Sequence, residues 1–332
     1  MGRHTVLALS FVLLFTGLTI HARSSTSEQV LPFKIYGQQM IVVQGSIGSL
    51  QKRNFVIDTG AYPSVIDRDI VQKLGLSGHR EELDAVDRTV SSMAVTVPEI
   101  EVGPIHATKV RSLVQDLSEV SRRTGVHIDG LIGLDVLAHS SFRIDYADKK
   151  IFFGPMDPLP SSVPFHLANA KLCVDLEAGP KSVRLLVDTG AEKVVLLGSH
   201  VPWIPHSERA RAFTNLGGSF VLQEIRLDQL RLGDTDLNSE PIFLSAREMP
   251  IFSFDGFLST IQFRQVAFDF ERGEFGWVTR NEKRGHVQVA SKTSRTPGYA
   301  AAIAKEVTKP RSSAVPSQGC GDAAAGLACG LR

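Results

Sequence analysis

Cysteine is scarce in this chain: Cys173, Cys320 and Cys329 are the three in 332 residues. Three thiols cannot staple a fold of this size, so stability must come from a hydrophobic core. Tryptophan is scarcer, with two copies, and nothing supplies the aromatic platform expected of a sugar-cleaving cleft. Neither charge sign dominates. The formal net charge is +1, so no global field draws the protein to nucleic acid or a membrane surface. C-x-x-C, H-E-x-x-H and G-x-S-x-G are all missing, which removes the common zinc and serine-hydrolase readings. The histidines show no ligand spacing, and no metal or cofactor is expected.

Long apolar runs are also few. The run Val6 to Ile20 follows Arg3 and His4 and ends near the small residue Ala22. It is short for a stable membrane span. It reads as a signal peptide over residues 1–22, with an uncleaved N-terminal anchor as the alternative. Either way the body of the protein is expected outside the cytoplasm, secreted or periplasmic, with no stable span after cleavage.

What the chain does have is length and apolar content. Hydrophobic residues make up 43% and charged residues 21%, enough for two globular domains with their own cores. Asp-Thr-Gly occurs twice, each time at the end of an apolar run: Phe55-Val56-Ile57-Asp58-Thr59-Gly60-Ala61 and Leu186-Val187-Asp188-Thr189-Gly190-Ala191. The surroundings repeat as well. Leu31-Pro32-Phe33 opens one unit and Val163-Pro164-Phe165 the other. Each unit then reads as strand, glycine-containing turn, strand. The first runs from Met40 through Gly45 to Gly48 and back to Ile57, the second from Leu172 through Gly179-Pro180 to Val187. Asp129-Gly130 and Asp255-Gly256 follow the two motifs 71 and 67 residues later. Matched order and spacing predict two lobes related by internal duplication: residues 31–157 and 158–279. Short strands with turn signals make the class mainly β, with a brief helix over Asp67 to Leu74 stopped by Gly75.

The tail, residues 280–332, differs in character. Arg280 to Arg311 holds eight Lys/Arg against two Asp/Glu, a basic bias with too few large apolar residues to fold alone. It reads as a solvated, disordered tail, with attraction to an acidic surface as the alternative. Cys320 and Cys329 could pair in an oxidising compartment, whereas Cys173 sits in a strand and reads as a buried apolar residue.

A strand-end aspartate can project its carboxylate from the rim of a rigid sheet. Apolar residues on both sides leave that carboxylate poorly solvated, which raises its pKa. Two such groups face to face share one proton, because like charges a few Å apart do not both ionise cheaply. A phosphoryl-transfer role for either aspartate needs a second acid two residues on, where Gly60 and Gly190 stand.

These residues resemble the aspartic proteases of the pepsin and retropepsin clan. Asp58-Thr59-Gly60-Ala61, Ser64-Val65-Ile66 and Lys73-Leu74-Gly75-Leu76 are closest to the bacterial retropepsin-like branch. The resemblance spans roughly Leu31 to Trp277. It implies a two-lobed acid-protease fold and an aspartic endopeptidase that hydrolyses polypeptide through a water held between Asp58 and Asp188. It implies that Thr59 and Thr189 lock the two loops together, and that Gly60 and Gly190 turn backbone amides to the carboxylates. Ile132-Gly133 matches the family's element beside the catalytic loop. With both lobes in one chain, a monomer is expected.

Two positions depart from symmetry: Ser259 stands where the first unit has Gly133, and Val194 stands opposite Ser64. Ala61 and Ala191 occupy positions where pepsin-type enzymes carry a hydroxyl, which implies a less acidic pH optimum than pepsin's. Gly217-Gly218 is a candidate flap tip, with an ordinary surface hairpin as the alternative. The competing functional reading is a secreted peptide-binding or protein-binding module on the same fold, its catalysis lost.

Overall fold

The computed structural model describes residues 28–281 apart from 38, 85–88, 169, 208, 216–217, 239 and 246–252. The segment 1–22, Gly217, Cys320, Cys329 and nearly all of the tail lie outside the described residues. Among the described residues, no helix is long and apolar enough to cross a membrane.

The fold is mainly β, with the described residues forming three sheets. Each Asp-Thr-Gly sits at the end of the return strand of a hairpin. In the first half, Met40–Ile47 pairs antiparallel with Leu50–Ile57, turning at Gly48 with φ +54°. In the second, Lys171–Ala178 pairs with Lys181–Asp188, turning at Gly179 with φ +59°. Positive φ is the region where a Cβ is penalised, so glycine at these two tips has a direct cause. Gly45, expected in the first turn, lies inside the strand instead. A Cβ there would stand 2.2 Å from the Glu101 carbonyl oxygen, so its glycine serves the close approach of Thr89–Val102.

The pairing order is the same in both halves. The return strand Leu50–Ile57 takes a parallel neighbour, Gly130–Ile132, with Ile57 opposite Ile132. Lys181–Asp188 takes Gly256–Ser259 in the same way, with Asp188 opposite Ser259. Those neighbours are met antiparallel by Val65–Asp67 and Val194–Leu197. Each of the latter is flanked by a further parallel strand, Ile105–Gln115 and Ile242–Ser245 respectively. The Asp-Gly elements seen in the sequence anchor this arrangement. Asp129 accepts from the Asn54 N–H at 2.8 Å, and Asp255 accepts from the Arg184 N–H at 2.8 Å.

A six-stranded antiparallel sheet joins the halves. Gln29–Pro32, Lys150–Phe153 and Phe142–Asp145 come from the first; Phe263–Asp269, Glu274–Thr279 and Ser161–Pro164 come from the second. The seam pairs Phe142 with Phe268 and Asp145 with Gln265. The Phe142 and Phe268 rings stack at 4.6 Å between centroids. Phe33 and Phe165, from the two openers, are buried at matching places, each donating its N–H to a turn carbonyl at 3.0 Å. Fully burying side chains of this size contributes about 1.5–3 kcal/mol each, so this core stabilises the platform beneath both Asp-Thr-Gly loops.

The helix runs over Arg68–Leu74. Asp67 caps it by accepting from the Asp69 N–H, and Gly75 ends it at φ +62°. Cys173 is fully buried in its strand. Burial pushes its thiol up to about 12, which makes it a core residue rather than a nucleophile.

Candidate active site

Asp58 and Asp188 are 130 residues apart in sequence, yet each lies against the other's loop and their carboxyl groups interact. Each aspartate is partly accessible as a residue. The strands behind them are dry: Phe55, Val56, Ile57, Leu185, Leu186 and Val187 are all buried. Val65, Ile66, Val194, Leu196 and Leu197 are buried on the following strands. The pair therefore lies on an apolar floor.

Four hydrogen bonds clamp the loops that carry them. The Thr59 N–H donates to Thr189 Oγ1 at 3.0 Å, and the Thr189 N–H donates to Thr59 Oγ1 at 3.0 Å. Each hydroxyl then donates across the interface, Thr59 to the Val187 carbonyl and Thr189 to the Ile57 carbonyl, both at 2.8 Å. Both threonines are buried, so every one of these groups would be unsatisfied without its partner.

Backbone amides reach the carboxylates unequally. Asp58 Oδ1 accepts from the Gly60 N–H at 3.0 Å and the Ala61 N–H at 3.1 Å. Asp188 Oδ1 accepts from the Gly190 N–H at 2.7 Å. Space is tight around both glycines. A Cβ on Gly60 would lie 2.6 Å from Asp188 Cγ, and one on Gly190 would lie 3.0 Å from Asp58 Oδ1. Glycine at each position is thus the condition for the two carboxyl groups to meet.

Burial raises both aspartates above the ordinary carboxyl range. For Asp58 that rise is opposed by the hydrogen bond from Asp188, by Lys171, and by the Gly60 and Ala61 amides. For Asp188 burial and the neighbouring Asp58 charge act together and push it up to about 8. The environment therefore favours charge on Asp58 and the shared proton on Asp188, with the titration belonging to the pair. Nearby, the Tyr146 phenol shares a 2.6 Å hydrogen bond with Thr260 Oγ1 and is held neutral by burial.

The two halves brace their loops with different chemistry. In the first, Ser64 Oγ donates to Asp135 Oδ1 at 2.6 Å, and the Gly133 N–H donates to Ser64 Oγ at 2.9 Å. The Ser64 N–H also donates to Asp135 Oδ2 at 2.9 Å. In the second half, Ser259 Oγ donates directly to the Ala191 carbonyl at 2.8 Å. Val194 and Ile261 stand at the positions of Ser64 and Asp135. Gly133 has φ −95°, so its glycine is not there for a left-handed backbone. It is there because a Cβ would fall 2.4 Å from the Ala61 carbonyl oxygen. Ser259 is therefore an alternative brace rather than a damaged copy.

A pair of variants tests that reading. Gly133→Ser must displace the Asp58 loop, and overpacking of this kind costs about 1–3 kcal/mol along with turnover. Ser259→Gly should cost only about 0.5–2 kcal/mol, through one lost hydrogen bond and added chain entropy. Thermal unfolding and peptide turnover of both variants give the comparison. A Gly133→Ser protein as stable and active as Ser259→Gly would contradict it.

The flap candidate Gly218 begins the strand Gly218–Ile225, opposite Asn215 of Ala210–Asn215. The two strands pair, and Gly217 between them lies outside the described residues. In the first half, Gly78–Asp84 pairs with Thr89–Val102, and residues 85–88 also lie outside the described residues. Three site features escaped the sequence reading: Asp135, Tyr146 and Lys171. Asp135 follows Gly133 by two residues, and that short spacing was the available signal.

A protein-family model described as aspartyl protease matches residues 43–136. The match takes in Asp58-Thr59-Gly60-Ala61, Ser64, Gly133 and Asp135 and ends before Asp188. Over that stretch the chain is similar to aspartyl proteases. No curated protein matches the chain.

Proposed function

We propose that this protein is a single-chain, two-lobed aspartic endopeptidase that acts as a monomer outside the cytoplasm after loss of residues 1–22. The lobes are residues 31–157 and 158–279, products of an internal duplication, each giving one aspartate to a shared cleft. The observation that carries the reading is the meeting of Asp58 and Asp188 on loops clamped by Thr59 and Thr189. Support for duplication comes from the common pairing order of the two halves.

In the reaction, a water lies between the two carboxyl groups. Asp58, ionised, takes a proton from that water as its oxygen attacks the scissile carbonyl carbon. Asp188 gives its proton to the carbonyl oxygen, so the tetrahedral intermediate forms as a neutral diol. Asp58 then passes the proton it took to the leaving nitrogen, and the C–N bond breaks. The diol returns one hydroxyl proton to Asp188 as the carbonyl re-forms. The chemistry uses two carboxyl groups and water and calls for no metal or cofactor.

Incubation with casein and a quenched peptide library, with and without pepstatin, tests this reading. Hydrolysis that pepstatin blocks is expected; a binding module that has lost catalysis would release no product from any member. The pH profile adds a second check. Activity requires Asp58 charged and Asp188 protonated. Asp58 is raised above the ordinary range by burial, so the acid limb should lie above that of an ordinary carboxyl group. Asp188 loses its proton near about 8, which sets the alkaline limb on the neutral side. A kcat/KM profile peaking below about pH 3 would contradict the assignment.

A further inference from the structure

Lys171 begins the second-half strand Lys171–Ala178, yet its ammonium group reaches the first-half loop. It donates to the Gly60 carbonyl oxygen at 2.9 Å, across 111 residues of sequence. Gly60 is the residue whose N–H holds Asp58 and whose missing Cβ leaves room for Asp188. The lysine is half-buried, so its charge is only partly screened by water. Its counterpart at the head of the first-half strand Met40–Ile47 is Met40, which carries no charge. The cation is thus one-sided in an otherwise paired arrangement.

We propose that Lys171 is a positioning residue of the aspartate pair, tying the second half to the Asp58 loop and holding the pair in its one-proton state under acidic conditions. The inference rests on the aspartic-protease reading of the site and adds a residue to it. Its positive charge lowers the pKa of Asp58 and of Asp188 alike, against the rise that burial causes. Two other titratable groups lie nearby: Tyr146, kept neutral by burial, which feels Asp188 and Arg280, and Cys173, kept neutral by burial two residues along the strand, which feels Arg184, Asp175 and Asp255. Neither brings a positive charge to the pair. Without Lys171, both aspartates would hold protons to higher pH. Asp58 would then be neutral, and useless as a base, in acid where the native enzyme still works.

Three variants separate charge from tether. Lys171→Met removes both, Lys171→Gln keeps an N–H donor without charge, and Lys171→Arg keeps charge and donor. In Met and Gln, both limbs of the kcat/KM profile should move to higher pH by about 0.5–1 unit, the lower end of the effect of a nearby opposite charge. Activity on the acid limb then falls about 3- to 10-fold at fixed pH. Arg should keep the native limbs. A purely structural role would instead lower kcat equally at every pH in Met, with Gln restoring it. Unmoved limbs in Met, or a shift in Arg as large as in Met, overturn the proposal.

Proton uptake gives a readout that needs no turnover. Each full-length protein is titrated against its own Asp58→Asn/Asp188→Asn variant, and the difference follows the pair alone. The upward shift should appear there in Met and Gln. If it does while the native chain cleaves nothing, the role of Lys171 stands and the protease reading fails. If the chain cleaves peptides and the difference titration does not move, Lys171 alone is wrongly assigned.

Discussion

Asp58→Asn and Asp188→Asn are each expected to lower turnover by at least ~10²-fold while the protein stays folded. Asparagine keeps the shape of the side chain and its hydrogen bonds to the Gly60, Ala61 or Gly190 amides. It removes the ability to carry the negative charge or the transferable proton. The stability of the same variants makes the result specific. The folded state holds the Asp188 proton up to about 8, more tightly than the unfolded chain, whose carboxyls titrate near ~4. The stability contributed by that proton is full below the unfolded value and is lost as pH rises toward about 8. Asparagine has no charge to desolvate, so Asp188→Asn should lose less stability than the native protein over that window. Turnover of a quenched peptide and Tm at pH 5 and pH 8 measure both. Near-normal, pepstatin-sensitive activity in either variant would sink the dyad assignment.

Thr59→Val and Thr189→Val should each destabilise the protein by about 2–6 kcal/mol. Valine fills the same volume but lacks the hydroxyl. Each replacement strands a buried N–H and a carbonyl on the opposite loop: Thr189 N–H and Val187 O in the first case, Thr59 N–H and Ile57 O in the second. An unsatisfied buried group costs about 1–3 kcal/mol, and there are two per variant. Turnover should fall at least ~10-fold as well, because a misplaced reacting group forfeits orientation. Urea unfolding of both single variants and the double, with kcat for each, completes a cycle that reads the coupling between the loops. If both single variants unfold within about 0.5 kcal/mol of the native protein, the clamp is not what holds the aspartates together.

Much of this structure could be read from residues. The two hairpins, their glycine tips at Gly48 and Gly179, and the short helix with Asp67 and Gly75 at its ends all follow from local chemistry. The paired aspartates were legible because the same words recur in the same order. What was not legible depends on contacts distant in sequence. Gly45 looked like a turn residue, since nothing local reveals the Glu101 carbonyl that excludes a side chain there. Ser64 and Asp135 lie 71 residues apart, and their bond exists only because Val65–Asp67 crosses Gly130–Ile132. Lys171 was hidden most completely. A lysine leading an apolar strand is ordinary, and only the juxtaposition of the two halves brings it to Gly60.

The six-stranded sheet has a consequence for separability. Its middle is the ladder between Phe142–Asp145 and Phe263–Asp269. Cut there, either half would present a bare strand edge backed by phenylalanines, the kind of edge that recruits another chain. Two severed pieces have one good remedy: to find each other, or a second copy of themselves, along that edge. The ladder is also bound to one register, because a slip of one residue would turn every side chain on the seam to the opposite face.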